Sequence, residues 1–172
     1  MLLLLVRHAR AGDRDPDRWA DDSLRPLTNL GREIHSQVSR SLARLECSPE
    51  VVLTSPWVRA VQTAELMVEE MELDLEAVRC EALARDVSID DIAAQVKTVG
   101  DASVVALVGH APWIEELAST LLAGSIDAVK IDFPKSGVLG LDTDEIAPGA
   151  ATLRFFLRPR HIRDLNRKKK KG

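Results

Sequence analysis

The chain opens with an unbroken apolar run, Leu2 to Val6, which ends abruptly in Arg7-His8-Ala9-Arg10. A half-exposed strand alternates apolar and polar positions, so a run without alternation predicts a strand covered on both faces. The run Val104 to Val108 repeats the pattern and ends in Gly109-His110. Val51 to Thr54 is a shorter strand of the same kind, and Ala77 to Cys80 a weaker one. Helical spacing fills the intervals. Leu30, Ile34, Val38, Leu42 and Leu45 form one stripe behind Thr28 as N-cap, and Ser55-Pro56 opens a second helix with Ser as cap and Pro at the first helical position. Ser88 with Asp91 caps a third helix through Val99, and a fourth runs from Pro112 to Leu122. The C-terminal part changes character: Lys130 to Phe133, Val138 to Asp142 and Thr152 to Leu157 read as strands joined by short turns, with no helices between. The expected fold is therefore α/β, a mainly parallel central sheet flanked by helices on both faces, with antiparallel C-terminal edge strands.

Composition narrows this picture. At 172 residues the chain is one domain, long enough to bury a core without disulfide or metal. Cys47 and Cys80 lie too far apart for a redox or metal pair and read as packing residues of a reducing compartment. Met1 to Val6 is too short for a signal-peptide core and lacks a basic flank. No stretch approaches the roughly 20 apolar residues that cross a bilayer, so a cytoplasmic location is expected. Residues Arg158 to Gly172 hold eight Lys/Arg against one Asp, a net +7, which leaves −11 on residues 1 to 157 of the total −4. Residues 1–158 are thus expected to be the domain and 159–172 a basic, disordered tail. Such a tail attracts nucleic acid weakly, but no aromatic interleaving accompanies it, and no specific nucleic-acid partner is expected.

Candidate chemistry gathers at the ends of the apolar runs. In open α/β sheets ligands bind beyond the carboxyl ends of the strands, which is where Arg7, His8 and His110 stand. Arg59 falls in the first turn of the second helix, where a cation is disfavoured unless an anion is bound. Two arginines can hold a phosphoryl group bidentately without losing charge, and two histidines can supply a nucleophile and a proton. Neighbouring arginines keep His8 neutral, leaving a ring nitrogen free to attack phosphorus and form a covalent phosphohistidine. His110 would stabilise charge on the phosphoryl oxygens, most effectively when protonated. Trp19, in the polar loop Ala11 to Arg25, is either a lid residue or an anchor, and His35 reads as a surface or satisfied helical histidine. Arg10, Arg18 and Arg25 are further cations that could orient a substrate.

Four motifs in order, Leu-Val-Arg7-His8-Ala-Arg, Arg25-Pro-Leu-Thr-Asn-Leu-Gly31-Arg, Thr54-Ser-Pro-Trp-Val-Arg59-Ala-Val-Gln-Thr63 and Val108-Gly-His110-Ala-Pro-Trp-Ile-Glu-Glu-Leu117, closely resemble the histidine phosphatase superfamily, whose fold is phosphoglycerate mutase-like. The resemblance runs to about Arg158 and is nearest to the small bacterial phosphohistidine phosphatases. It implies that His8 is the phosphorylated nucleophile, that Arg7 and Arg59 bind phosphate, and that His110 completes the pocket. The longer inserted segment in which many members carry a glutamate acid is absent; only Glu81 to Asp86 stands there, with Glu81 and Asp86 as weak candidates. An alkoxide wants a proton on leaving, whereas the imidazole of a phosphohistidine can already carry one. The short form also leaves the site open. Both features favour protein phosphohistidine as substrate, with a small phosphomonoester, or a non-catalytic phosphoprotein-binding role, as the alternatives.

No His/Asp/Glu cluster has ligand spacing, so no metal or other cofactor is expected. Leu139-Gly140-Leu141-Asp142-Thr143-Asp144 imitates the opening of an aspartate-nucleophile phosphatase, but comes too late in the chain, and its Asp142-Thr143-Asp144 reads as a turn. With no long exposed apolar stripe, a monomer is expected.

Overall fold

The structure is a computed structural model that describes residues 1–84 and 88–169. Six strands form one sheet: β1 (Leu2–Arg7), β2 (Val51–Thr54), β3 (Val78–Arg79), β4 (Val104–Gly109), β5 (Val138–Thr143) and β6 (Ala151–Leu157). Their order is β3-β2-β4-β1-β5-β6, the first four parallel and the last two antiparallel additions. Chain order is broken where β4 inserts between β1 and β2. That switch point is where a crevice opens beyond the strand ends.

Five helices cover the two faces: α1 (Asn29–Arg44), α2 (Val58–Glu70), α3 (Ile89–Lys97), α4 (Trp113–Ala123) and α5 (Pro159–Lys169). Leu3, Leu5, Val105 and Leu107 pack with Ile92 and Val96 of α3 and Ile114, Leu117 and Leu121 of α4. On the other face Leu2, Leu4, Val6, Ala106 and Val108 meet Val38 and Leu42 of α1, Ala60, Ala64 and Met67 of α2, and Ile162 of α5. Alternate residues of a strand point to opposite faces, so apolar residues at every position of β1 serve two cores at once. Leu3, Leu4, Leu5 and Val6 are fully buried, and each such side chain contributes about 1.5–3 kcal/mol. Among the described residues no helix is long and apolar enough to cross a membrane.

The caps foreseen at Thr28 and Ser88 are formed, their side chains accepting from Gly31 and Asp91 backbone N–H groups. Both cysteines are free and buried. Other expectations are corrected. Helix α2 starts at Val58 with Trp57 as a cap that makes no side-chain bond, rather than at Pro56. The Ser55 hydroxyl accepts from the Trp57 N–H at 3.4 Å and also lies 2.8 Å from His110 Nε2, and the Ser55 N–H continues the β2–β4 pairing onto the Val108 carbonyl. Residues 130–133 form no strand, because β5 pairs with β1 on one side and β6 on the other, while Phe133 inserts fully into the core. The basic stretch after Arg158 is helical to Lys169 rather than disordered, since Pro159 suits a helix start and Ile162 seats in the core. Asp142 and Thr143 finish β5 instead of forming a turn.

The stripe on α1 is also rotated. Leu30 and Leu45 are exposed, and Gly31, His35, Ser36, Val38, Ser39 and Leu42 form the buried face. The small residues admit close contact. A Cβ added at Gly31 would lie 2.1 Å from the Arg10 carbonyl oxygen, so only glycine lets α1 approach the chain just after β1. Thr28 secures the same carbonyl, donating from its N–H at 2.9 Å and its hydroxyl at 3.1 Å.

Candidate active site

The register of the sheet sets Arg7 beside Gly109, so the residues that follow, His8 and His110, leave adjacent parallel strands at one level. The His8 N–H donates to the Gly109 carbonyl at 2.9 Å, and the two imidazole centroids are 5.0 Å apart. Arg59 arrives from the first turn of α2, beyond β2, which pairs with the other edge of β4. His8, Arg59 and His110 are buried, at 6%, 4% and 6% exposure, and Arg7 is partly exposed. All four line one cavity of about 620 Å³. Gly109 is required for its shape, because a Cβ there would sit 1.8 Å from the ring of buried Trp113.

Hydrogen bonds orient each group. His8 Nδ1 lies 2.7 Å from the Ala9 carbonyl oxygen. A carbonyl only accepts, so Nδ1 carries the proton and Nε2 keeps the lone pair. The Ala9 N–H in turn donates to the Thr63 hydroxyl at 3.0 Å, and that hydroxyl donates to the Arg59 carbonyl at 2.6 Å, tying the histidine turn to α2. The Arg7 guanidinium donates to the Phe133 carbonyl and lies 3.8 Å from Glu115. Arg59 donates to the Asp22 carbonyl at 2.8 Å, lies 3.2 Å from the Asp22 carboxylate and stacks on Trp57 with its carbon 4.3 Å from the ring centroid. Trp57 also packs against His110, centroid to centroid 4.6 Å.

These surroundings decide the charges. Burial, then the neighbouring His110 and after it the Arg59 and Arg7 charges, hold His8 down to about 2, against a bond to Ala9 that works the other way. Burial and then Arg59 hold His110 down to about 3, with Asp22 opposing. The neutrality expected of His8 thus has burial as its first cause and the arginines as a lesser one. His110 is likewise neutral near pH 7 when only protein surrounds it. Burial brings Arg59 to about 10, opposed by Asp22, and it stays charged. Burial favours a neutral Asp22, but the Arg25 hydrogen bond and the Arg59 charge outweigh it and keep the carboxyl below its ordinary range.

Of the further candidates, Arg25 lines the cavity and braces it, donating to Asp22 at 3.0 Å and to the Gly12 carbonyl at 2.7 Å. Arg10 is exposed and lines a neighbouring groove instead. Arg18 is exposed beside Trp19, outside the cavity lining. Glu81, on a single 3-10 turn, is exposed and does not line the cavity, and Asp86 lies outside the described residues. His35 is fully buried rather than on the surface, and burial lowers its pKa to about 4 against the opposing influence of the Thr63 backbone. Residues that enter the site without sequence warning include Asp22, Ser55, Trp57, Glu116 and Lys135. Ser55 and Trp57 stand inside the Thr54–Thr63 motif. Asp22 is hidden among the many acidic residues of its loop.

The fold and site together define an α/β protein whose parallel strands, with the helix after β2, bring two neutral histidines and two arginines into one cavity. The family model of the histidine phosphatase superfamily (branch 1) matches residues 3–93, and the chain belongs to that superfamily. An uncharacterized protein of Picosynechococcus is 34% identical over 144 residues, covering 82% of this chain and 84% of that one. Among solved structures, the protein histidine phosphatase SixA complexed with tungstate superposes with a TM-score of 0.81 at 24% identity, covering 94% of this chain and 99% of SixA. A phosphoserine phosphatase variant from Entamoeba histolytica, in complex with phosphoserine, has a TM-score of 0.63 at 17% identity, covering 93% of this chain and 98% of its own.

Proposed function

We propose that this protein hydrolyses phosphohistidine on a protein substrate, with His8 as nucleophile, Arg7 and Arg59 as phosphoryl clamps and His110 as the fourth member of the pocket. The observation that carries the reading is the His8 Nδ1 bond to the Ala9 carbonyl, which leaves Nε2 unprotonated, with its lone pair free, beside two guanidinium groups. His8 Nε2 attacks phosphorus, the N–P bond to His8 forms, and the bond to the leaving group breaks. The phosphoryl oxygens lie on the arginines throughout. Water then attacks the same phosphorus, the N–P bond to His8 breaks, and inorganic phosphate leaves. A phosphoryl dianion next to His110 favours imidazolium, so His110 takes up a proton on substrate binding and donates to a phosphoryl oxygen.

The leaving group argues for a phosphoramidate. Asp22, one carboxylate of the cavity, is held ionised by Arg25 and Arg59 and has no proton to give at neutral pH. An imidazole leaving group can bring its own proton, whereas an alkoxide cannot. A second carboxylate lining the cavity, Glu116, favours an alternative reading in which it protonates the leaving oxygen of a small phosphomonoester.

The test incubates the protein in chelator with a phosphohistidine peptide and, separately, with a phosphomonoester, followed by alkaline quenching and mass spectrometry of the chain. The proposal expects acid-labile phosphate on His8 and faster turnover of the peptide. Faster turnover of the monoester, lost in Glu116→Gln, would transfer the assignment to the second reading. Phosphate bound without turnover would identify a binding module.

A further inference from the structure

The His8 cavity continues sideways. A groove of about 220 Å³ adjoins it through Lys135, which lines both. The groove's other cations are Arg10, two residues beyond His8, Arg158, which pairs with Asp132, and Arg160 and Arg163 on the first turns of α5. Among the described residues, Arg10, Lys135, Arg160 and Arg163 have no carboxylate within ion-pairing distance. Arg10 and Lys135 belong to residues 1–157, which carry −11, and Arg160 and Arg163 to the basic stretch that follows, so the wall joins unpaired cations of three separate segments against an otherwise acidic body. Uncompensated like charges at a rim repel one another and destabilise the free protein, and an incoming negative surface relieves that repulsion. The direction of the Lys135 pKa agrees: it is lowered by burial first, then by Arg7, Arg25, Arg10 and Arg59. The floor of the groove is apolar, with Ile34, Pro134 and Pro159. A cationic wall on an apolar floor matches a folded or peptide surface that mixes carboxylates with aliphatic side chains.

We infer that this groove is a docking surface for an acidic stretch of the protein substrate flanking its phosphorylated residue, with Arg160 and Arg163 as the outer contacts and Lys135 as the link to the phosphoryl pocket. The inference rests on the phosphoprotein reading above and deepens it: the substrate class becomes an acidic phosphoprotein. Helix α5, basic in sequence and seated in the core by Ile162, is the element that turns a small-molecule pocket into a protein-recognition face.

The experiment compares the full chain with its Arg160→Gln/Arg163→Gln double variant on two phosphohistidine peptides of equal length, one flanked by Asp and Glu, the other by Ser and Gly. Phosphoramidate serves as a substrate too small to reach the groove. The wild type is expected to prefer the acidic peptide about tenfold in kcat/KM at low salt, and to lose most of that preference once the Debye length shrinks to about 5 Å or less. The variant is expected to show no preference while hydrolysing phosphoramidate at the wild-type rate, which also establishes that it is folded. No wild-type preference, or a preference kept by the variant, would overturn the inference. So would anionic phosphatidylserine vesicles that bind the wild type and not the variant while the peptide preference is unchanged, because the wall would then serve a membrane. If neither peptide is hydrolysed, the phosphohistidine reading fails separately, and binding of the unphosphorylated acidic peptide, followed by fluorescence anisotropy, still decides the groove. Equal binding to both proteins would reject it, and weaker binding to the variant would support it.

Discussion

The two ends of the central sheet each carry a cleft, and the larger one does not hold the paired histidines and arginines. At the amino ends of β1 and β4 a cavity of about 720 Å³ is lined by Met1, Lys97, Asp101, Asp144, Glu145 and Arg154, among others. Its ionisable groups are matched or solvated: Arg154 pairs with Asp142 at 2.9 Å, and the terminal ammonium donates to the Thr143 carbonyl. At the carboxyl ends the cavity is smaller, yet Arg7 Nε, Arg59 Nε, His110 Nδ1 and Trp113 Nε1 are buried there without a hydrogen-bond partner. None of the described buried atoms in that condition lies in the amino-end cavity. Burying polar atoms without partners is costly, and the fold does so at the end that holds the paired histidines and arginines, while the other end keeps its ionisable groups paired or solvated. Volume does not make that distinction.

The contrast can be broken by substitution at either end. His8→Ala is expected to lower turnover of a phosphohistidine peptide by about a thousandfold or more, read as steady-state release of phosphate, whereas Asp144→Asn should leave the rate within error. Equal losses at both ends would sink the assignment. Arg59→Lys keeps the charge but removes the fork, and about a hundredfold loss in kcat/KM is expected from losing bidentate contact and its hold on Asp22. Ser55→Ala removes the partner of His110 Nε2, a bond of about 1–1.5 kcal/mol, and should cost about tenfold in turnover with little change in Tm. A loss of Tm without loss of rate would make Ser55 a structural residue only.

Stability sharpens the same comparison. Gly109→Ala forces a methyl against the Trp113 ring and is expected to destabilise the protein by about 1–3 kcal/mol in urea unfolding, an overpacking penalty. Acidification tests the buried histidines. His8, His35 and His110 have folded pKa values of about 2, 4 and 3, below the 6.5 of an exposed imidazole. Between those limits the unfolded chain binds more protons, so stability is full above pH 6.5 and falls as pH is lowered toward the folded values. Fully buried His35 alone should account for about 3 kcal/mol of that loss by pH 4, and His35→Gln should flatten the profile measured by chemical unfolding.

Much of the reactive end was legible in the chain. His8 and His110 follow uninterrupted apolar runs, and a run with no polar alternation has few structures open to it other than a doubly covered strand. Arg59 stood out because a cation in the first turn of a helix wants an anion. Its described carboxylate partner proved to be internal, Asp22, and no local pattern distinguishes Asp22 from Asp13, Asp15, Asp17 or Asp21 in the same loop. Ser55 carried a false signal, since Ser-Pro before an apolar pattern reads as a helix cap, and only the approach of β4 to β2 brings His110 within reach of its hydroxyl. The helix after Arg158 was hidden for a related reason. Its charge density argues against packing, and one buried side chain, Ile162, is enough to seat it against a face that exists only after folding.

By itself the sequence determined the parallel strands, the residues at their ends and hence the class of chemistry, because hydrophobic periodicity and side-chain type are local properties. The tertiary structure alone decided which nitrogen of His8 is free, that both histidines are neutral, that Asp22 answers Arg59, and that the cations of α5 reach the groove beside the His8 cavity. Those are matters of burial and of distance between residues remote in the chain, and Coulomb energy and desolvation depend on where groups meet in space.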